Sequence, residues 1–310
     1  MVQKKQMFAS PAEEKLILNK EDELVRFLLA NKAIRGVAVQ GARLVNQMRA
    51  NHELGLLETL VLGQACIAAA LLSVNLKGGD RIGFNIECSG PIKGLVAEAT
   101  ADGRVRGYLK QVPIPLSAPL DSFDLSPLFG AGFLEVSRYL IDAKRPFTGT
   151  IMLQYGNIAQ DIANYYLTSE QIPTAMAVSV QFDQQGRVVG AGGLFLQAMP
   201  NADEHLMVEL EKCMGTMPAL GKYFAADSTA VELLTGHFGA FTPQILANDK
   251  IEFACPCTEG QIKEMLLGLP AAEFADMRDN GPFPLEVRCH FCNSCYRFEQ
   301  QELQNLRPEK

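Results

Sequence analysis

Cys255-Pro256-Cys257 and, further on, Cys289-His290-Phe291-Cys292-Asn293-Ser294-Cys295 hold five of the chain's eight cysteines near its C-terminal end. Two close pairs, each presented by a short stretch of chain, are the arrangement that surrounds one tetrahedral ion with thiolates. Pro256 keeps Cys255 extended, because the residue before proline avoids the helical region. In extended chain, residues i and i+2 point to the same side, so both sulfurs of the first pair can face one ion. Cys289-x-x-Cys292 has the spacing of a zinc knuckle. The four together predict a four-cysteine zinc site, one ion per chain. Two local disulfides, or four buried structural cysteines, are the alternative. Thiolates are also the groups most open to oxidation, so the same residues could sense an oxidant.

Two further residues compete for roles there. His290 lies between ligands and must point away from the ion, toward solvent or an outer position. Cys295 forms a second Cys-x-x-Cys with Cys292; it reads as a spare thiol and a possible additional redox residue. Cys66, Cys88 and Cys213 fall on apolar faces and read as small core residues. No catalytic constellation stands out beside the cysteines. His52, His205, His237 and His290 are far apart in sequence, which leaves a spatial cluster open. Gly190-Ala191-Gly192-Gly193 lacks the spacing and following helix of a dinucleotide loop and reads as strand.

These residues need a scaffold to position them. The chain has 310 residues, 48% hydrophobic and 20% charged, enough for one sizeable core and a smaller unit. Helical spacing begins near Glu21 (Leu24, Phe27, Leu28) and recurs at Val45 and Met48. Leu57–Leu76 is apolar nearly all round and predicts a buried core helix. Strands follow at Ile82–Cys88 and at Val96–Thr100 paired with Arg104–Leu109 around Asp102-Gly103. Others are expected at Leu134–Ile141, Gly149–Gln154, Ala175–Phe182 and Arg187–Gln197, with a helix over Ala163–Gln171.

From Asn201 the composition shifts to short, Met-rich helical stretches broken by Gly and Pro. Leu206, Leu210, Cys213, Met214 and Met217 share one stripe, and Thr229 with Glu232 makes a capping box. A strand over Lys250–Cys257 opens the last segment. Thr258 and Gln261 then cap a helix, and a hairpin, Leu285–Cys289 with Tyr296–Phe298, carries the cysteine turn. The fold class is α+β: a loosely held extension (1–20), an N-terminal α/β core domain on antiparallel sheet (21–200), a helical linker (201–249) and a small zinc-binding domain with a β-hairpin (250–310). The last unit is too small to bury an adequate core alone, so metal binding would supply its folding energy.

Charge and composition exclude some functions. Lys and Arg number 28 against 35 Asp and Glu, a net charge of -7. Residues 251–310 carry six basic and ten acidic side chains, the wrong sign for a zinc ribbon that grips phosphates. A thiol–disulfide oxidoreductase would set Cys289-x-x-Cys292 at a helix N-terminus in a βαβ setting, not in a hairpin turn. The N-terminus lacks the apolar stretch of a signal peptide, and the longest apolar run, Ala65 to Leu72, is too short to span a bilayer. A cytoplasmic protein with no membrane or nucleic-acid partner is expected. In that reducing compartment a cysteine cluster is metal-bound or redox-active more often than a structural disulfide.

The pattern Phe253-x-Cys255-x-Cys257, Cys289-x-Phe291-Cys292-Asn293 and Tyr296-x-Phe298 resembles the C-terminal switch of the heat-shock protein 33 family of redox-regulated holdase chaperones. Arg35-Gly36, Ser169-Glu170-Gln171-Ile172-Pro173-Thr174 and the run Gly192 to Pro200 continue the likeness, in matching order, from about Glu21 to Phe298. The resemblance implies that Cys255, Cys257, Cys289 and Cys292 hold zinc in a reduced, inactive form. Oxidation would pair Cys255 with Cys257 and Cys289 with Cys292 and release the metal. The last domain and linker would then unfold, and the chain would bind unfolding proteins as a homodimer. It implies a chaperone, not an enzyme. The chain departs from the family pattern at Cys295, which makes a Cys292–Cys295 pairing possible, and in its N-terminal extension.

Overall fold

Two antiparallel sheets enclose one apolar helix, and that helix explains the sequence around it. The computed structural model describes residues 3–116, 122 and 124–306. After a short helix α1 (Pro11–Ile17), strands β1 (Glu23–Leu29) and β2 (Ile34–Gln40) lead to helices α2 (Ala42–His52) and α3 (Leu56–Leu72). The next strands are β3 (Arg81–Cys88), β4 (Gly94–Thr100) and β5 (Arg104–Leu109). A one-turn helix α4 (Ser126–Phe129) precedes β6 (Gly132–Tyr139), β7 (Phe147–Met152), α5 (Ile158–Thr168), β8 (Thr174–Phe182) and β9 (Val188–Ala198). Strands β3 to β7 lie in one sheet and β1, β2, β9 and β8 in the other.

Helix α3 packs against both sheets, so it has no polar face to keep. With its C-terminal turn it reaches Asn75, and among the described residues it is the one helix long and apolar enough to cross a membrane; 83% of it is buried inside the protein. It is the core helix its composition predicts.

The helix expected from Glu21 is instead β1. Val25, Phe27 and Leu29 alternate onto one apolar cluster while Leu24 faces the other, a period of two. The signal was hidden because the β1–β2 turn carries no glycine. Ala30, Asn31 and Lys32 all take the left-handed conformation (φ 49°, 52° and 70°), which glycine or asparagine usually marks. Val45 and Met48 do lie on a helix, the buried face of α2.

Three short helices, α6 (Glu204–Gly215), α7 (Leu220–Ala225) and α8 (Ala230–His237), cover the outer face of the first sheet. Leu210, Leu220, Phe224, Leu233 and Leu234 are buried against Val25, Phe27, Leu29, Leu194 and Leu196. Met207, Cys213, Met214 and Met217 pack partly buried on the same cluster, as the helical stripe predicts. Isolated helices this short are unstable in water, so docking keeps them folded. Each fully buried Leu or Phe contributes about 1.5–3 kcal/mol. The glycine-rich part of β9 makes the close approach possible. A Cβ on Gly190 would stand 2.1 Å from the Gly221 carbonyl oxygen, and one on Gly192 would stand 2.2 Å from the Phe224 ring.

Of the strand expected over Lys250–Cys257, only Lys250 and Glu252–Phe253 are in strands, in different sheets, and residues 254–257 are in none. Strand β10 (Gln244–Lys250) lies mostly in the stretch expected to be helical linker and pairs with β1 at the edge of the first sheet. The chain crosses at buried Ile251, and β11 (Glu252–Phe253) runs parallel to β5, with Phe253 opposite Val105. Then come α9 (Glu259–Leu267) with the expected Thr258–Gln261 capping box, α10 (Ala271–Asn280), the hairpin β12 (Leu285–Arg288) and β13 (Cys295–Phe298), and α11 (Gln300–Asn305). Phe253, Ile262, Leu266, Phe298 and Leu303 are buried in a cluster continuous with the main core.

The N-terminal extension, expected to be loosely held, is packed. Phe8 and Leu18 are buried with Ala42, and Ser10 caps α1.

Replacing Gly190 by alanine should push α7 off the sheet at a cost of about 1–3 kcal/mol. Limited proteolysis should then cut residues 204–237 faster, with the fragment containing α3 still resistant. Unchanged cleavage would mean that α7 does not need this contact.

Candidate metal centre

The two cysteine segments meet at the edge of the second sheet. Cys255 and Cys257 follow β11 after Ala254, whose amide donates to the Val105 carbonyl of β5 at 3.0 Å; residues 254–257 belong to no strand. The second pair is held by a tight knuckle between β12 and β13. The Cys289 carbonyl accepts from the Asn293 amide at 2.7 Å, and the Cys289 amide donates to the Ser294 carbonyl at 2.9 Å. Asn293 turns the chain with φ 55°, a left-handed conformation that asparagine tolerates.

All four sulfurs, of Cys255, Cys257, Cys289 and Cys292, lie within 4.8 Å of one another. Cys255 and Cys289 are 3.8 Å apart, and Cys257 and Cys292 are 3.4 Å apart. A zinc–sulfur bond of about 2.3 Å in a regular tetrahedron sets sulfurs about 3.8 Å apart. The donor set and its spacing therefore fit zinc, with all four positions supplied by the chain.

The charge balance argues the same way. Hydrogen bonds from the Cys289 and then the Cys292 thiol, with a further one from Arg106, hold Cys255 far below the ordinary thiol range. Donating to Cys255 pushes Cys289 up to about 11 and drives Cys292 upward as well. Four adjacent sulfurs cannot all ionise without a cation among them; a divalent ion removes the conflict.

Groups around the cluster complete it, and most were not visible as site residues in the sequence. Arg106 on β5 donates from Nη1 to the Cys255 sulfur at 3.3 Å and from Nη2 to Glu98 at 3.1 Å, while its guanidinium stacks 4.1 Å over the Phe291 ring. Tyr108, two residues on and on the same strand face, meets Phe291 edge-on at 5.1 Å. Alternation in β5 could have assigned Arg106 and Tyr108 to one face; nothing local said what that face meets. The Tyr296 hydroxyl is 3.0 Å from the Cys257 carbonyl oxygen and 3.2 Å from its sulfur. Buried Asn51, at the end of α2, donates to the Cys292 carbonyl at 3.0 Å. The His52 ring nitrogen Nε2 lies 3.2 Å from the Phe291 carbonyl, and burial holds this imidazole below its usual range.

His290 is exposed, with its ring against Tyr108, and stands outside the cluster. Cys295 is also outside it. It opens β13 opposite Arg288, and since Tyr296 faces Cys257, alternation turns Cys295 to the other face of the hairpin. Cys66 is fully buried, and Cys88 and Cys213 are partly so, as their apolar neighbours imply.

Because Tyr296 braces a ligand, Tyr296→Phe should weaken zinc binding about 10- to 100-fold and leave one ion per chain at saturation. Competition with a chelator would measure it. Cys257→Ser should instead abolish stoichiometric binding.

The comparisons with known proteins agree with this geometry. The family model described as Hsp33 protein matches residues 22–299. The 33 kDa chaperonin of Geobacter sulfurreducens is 34% identical over 92% of this chain and 95% of its own length. That of Desulforamulus reducens is 31% identical over 92% and 97%. The crystal structure of the 33 kDa chaperonin (heat shock protein 33 homolog) of Thermotoga maritima superposes with a TM-score of 0.83 at 33% identity, covering 93% of this chain and 98% of that one. With the cysteine cluster in place and the likeness running nearly end to end, the chain belongs to the Hsp33 family of chaperones.

Proposed function

We propose that this chain is a redox-controlled holdase: reduced and zinc-bound it is inactive, and oxidised it binds unfolding proteins and keeps them from aggregating. The observation that carries this reading is the path of the chain through Ile251. The segment that ends the sheet-covering linker, β10, continues without a loop into β11 and the cysteine cluster. A change at the sulfurs therefore pulls directly on the linker's anchoring strand.

Bound zinc would keep the four thiolates deprotonated and join the two cysteine pairs. Each pair of thiolates gives two electrons to one peroxide and forms one disulfide; the peroxide takes up two protons and leaves as two waters. We assign the pairs, from the family resemblance, as Cys255 with Cys257 and Cys289 with Cys292. Cys295 is the competing thiol, through a Cys292–Cys295 pair. Its place on the opposite hairpin face favours the first assignment while the hairpin is folded.

Once the sulfurs no longer hold two segments together, the small module loses folding energy it cannot replace. Strand β11 leaves β5, and β10 loses the support of the module that follows it. Among the described residues, no hydrogen bond or ion pair joins α6–α8 to the cysteine module, so this covalent route is the coupling that supports the reading. Undocking of α6–α8 would expose the Val25, Phe27, Leu194 and Leu196 face, together with Met207, Leu210, Met214 and Met217. Such flexible apolar surface binds unfolded chains with little sequence preference. The active form would be a homodimer in the cytoplasm, with no nucleic-acid or membrane partner and no enzymatic turnover. A disulfide-reductase role is disfavoured because Cys292 is fully buried in a hairpin turn.

The test is zinc content and free thiols before and after peroxide, with suppression of client aggregation scored in parallel. We expect one zinc per reduced chain, lost as four thiols vanish and holding activity appears. Zinc retained through oxidation without a gain of activity would overturn the switch. Disulfide mapping should find 289–292 in both the native chain and Cys295→Ser. Replacing Met207, Leu210 and Met214 together by serine should weaken client capture by the oxidised form several-fold; unchanged capture would remove the linker stripe from the client surface.

A further inference from the structure

We infer that the N-terminal segment preceding the family match is a clasp that holds the cysteine knuckle closed, an autoinhibitory contact that sets how readily the module opens. The inference rests on the metal-switch reading above and adds a regulator to it. The family model begins at residue 22, yet the segment before it reaches both parts of the molecule that the switch must move.

At its start it lies across the knuckle. The Gln3 amide donates to Ser294 Oγ at 3.0 Å, and the Gln3 side chain donates to the Cys295 carbonyl at 3.3 Å. The Cys292 thiol donates to the same Ser294 Oγ at 3.2 Å, so the Gln3 amide and a cluster sulfur meet at one hydroxyl. Asn51 joins segment and knuckle from beneath. Its amide nitrogen donates to the Gln3 carbonyl at 2.9 Å and to the Cys292 carbonyl at 3.0 Å. Its Oδ1 accepts from the Lys5 amide at 3.2 Å. Asn51 is 1% exposed and its Oδ1 accepts from Gln47 Nε2 at 2.8 Å as well, so the segment supplies two of the four partners of this buried side chain. Lys4 pairs with Glu252 on β11 at 2.8 Å, an exposed contact worth little by itself.

The far end holds the linker. Asn19 donates to the Asp227 carboxylate at 2.8 Å and Lys20 pairs with it at 3.3 Å, in the turn between α7 and α8. Between the two ends the segment is anchored to the core by buried Phe8 and Leu18 and by the Arg43–Glu14 pair at 2.6 Å. A strap fixed in the middle, with one end on the knuckle and the other on the linker, opposes the opening of each.

The test uses the full reduced chain and needs no oxidant. Deleting residues 2–6 removes the knuckle grip but spares Phe8 and α1; Gln3→Pro removes only the Gln3 amide donor and its side chain. Amide exchange across 289–296 and zinc transfer to a colorimetric chelator should both quicken about ten- to thirtyfold in the deletion and less in Gln3→Pro. Exchange in α3 should not change. Asn19→Ala with Lys20→Ala should quicken exchange across 220–237 and leave the knuckle alone. Equal knuckle exchange and zinc release in the deletion would overturn the clasp, as would a parallel rise in α3, which would mean general loosening. A native chain that gained no holding activity on oxidation would instead fail the proposed function, with the exchange comparison unaffected.

Discussion

Four sulfurs within 4.8 Å of one another cannot share one place as four anions, and they bind a cation well only as anions. That conflict organises the C-terminal part of the molecule. Residues 254–306 offer three short helices, a hairpin of four-residue strands and a few buried side chains. Ile262, Leu266, Phe298 and Leu303 belong to a cluster continuous with the main core. The cluster and the Tyr296 hydroxyl on Cys257 both tie the two cysteine segments to each other, so the stability of the module depends on the chemical state of its sulfurs.

The core supplies the other half of the constraint. Glu98 and Arg106 form a buried relay from β4 and β5 to Cys255, and Arg106 also carries Phe291 on its guanidinium face. Glu98 and Arg106 both belong to the core sheet, so when the module leaves, Glu98 keeps Arg106 and also Arg81 at 3.0 Å, and Arg106 loses only Cys255 and Phe291. The module is held firmly when its sulfurs are together, and the core can survive its departure.

Much of this was legible in sequence, for identifiable reasons. Metal spacing is local, so Cys255, Cys257, Cys289 and Cys292 could be grouped without a fold. An all-round apolar α3 and the Asp102-Gly103 hairpin announced themselves by composition and turn chemistry. Strand β1 did not, because its turn carries no glycine and, of its three left-handed residues Ala30, Asn31 and Lys32, only Asn31 is of a type that marks one. The break at Ile251, between β10 and β11, was equally hidden. Continuous β-forming sequence says nothing about which sheet each half joins. Arg106, Tyr108 and Asn51 reach the cluster only through long-range packing, and no spacing rule reports that. The glycines of β9 were read correctly as strand, but their purpose, to let α7 lie on the sheet, appears only in the packed structure.

In the switch proposed above, the linker and the cysteine module would fail by different physics, and this would allow one to trigger the other. Docking of α6–α8 is hydrophobic and diffuse: many modest contacts, none of them chemically switchable. The cluster is the reverse, a few strong bonds that oxidation can remove at once. Joining them through β10 and Ile251 lets a discrete chemical event act on a surface that has no redox chemistry of its own. Such a surface must also be marginal when docked, or losing its neighbour would change nothing. Helices of 12, 6 and 8 residues, interrupted by Gly215, Pro218 and Gly236, meet that need, since none is long enough to persist alone. Lengthening or idealising them would strengthen the resting state at the expense of the response. The Gly- and Pro-broken sequence, which looks like poor helix design, is the composition a releasable cover requires.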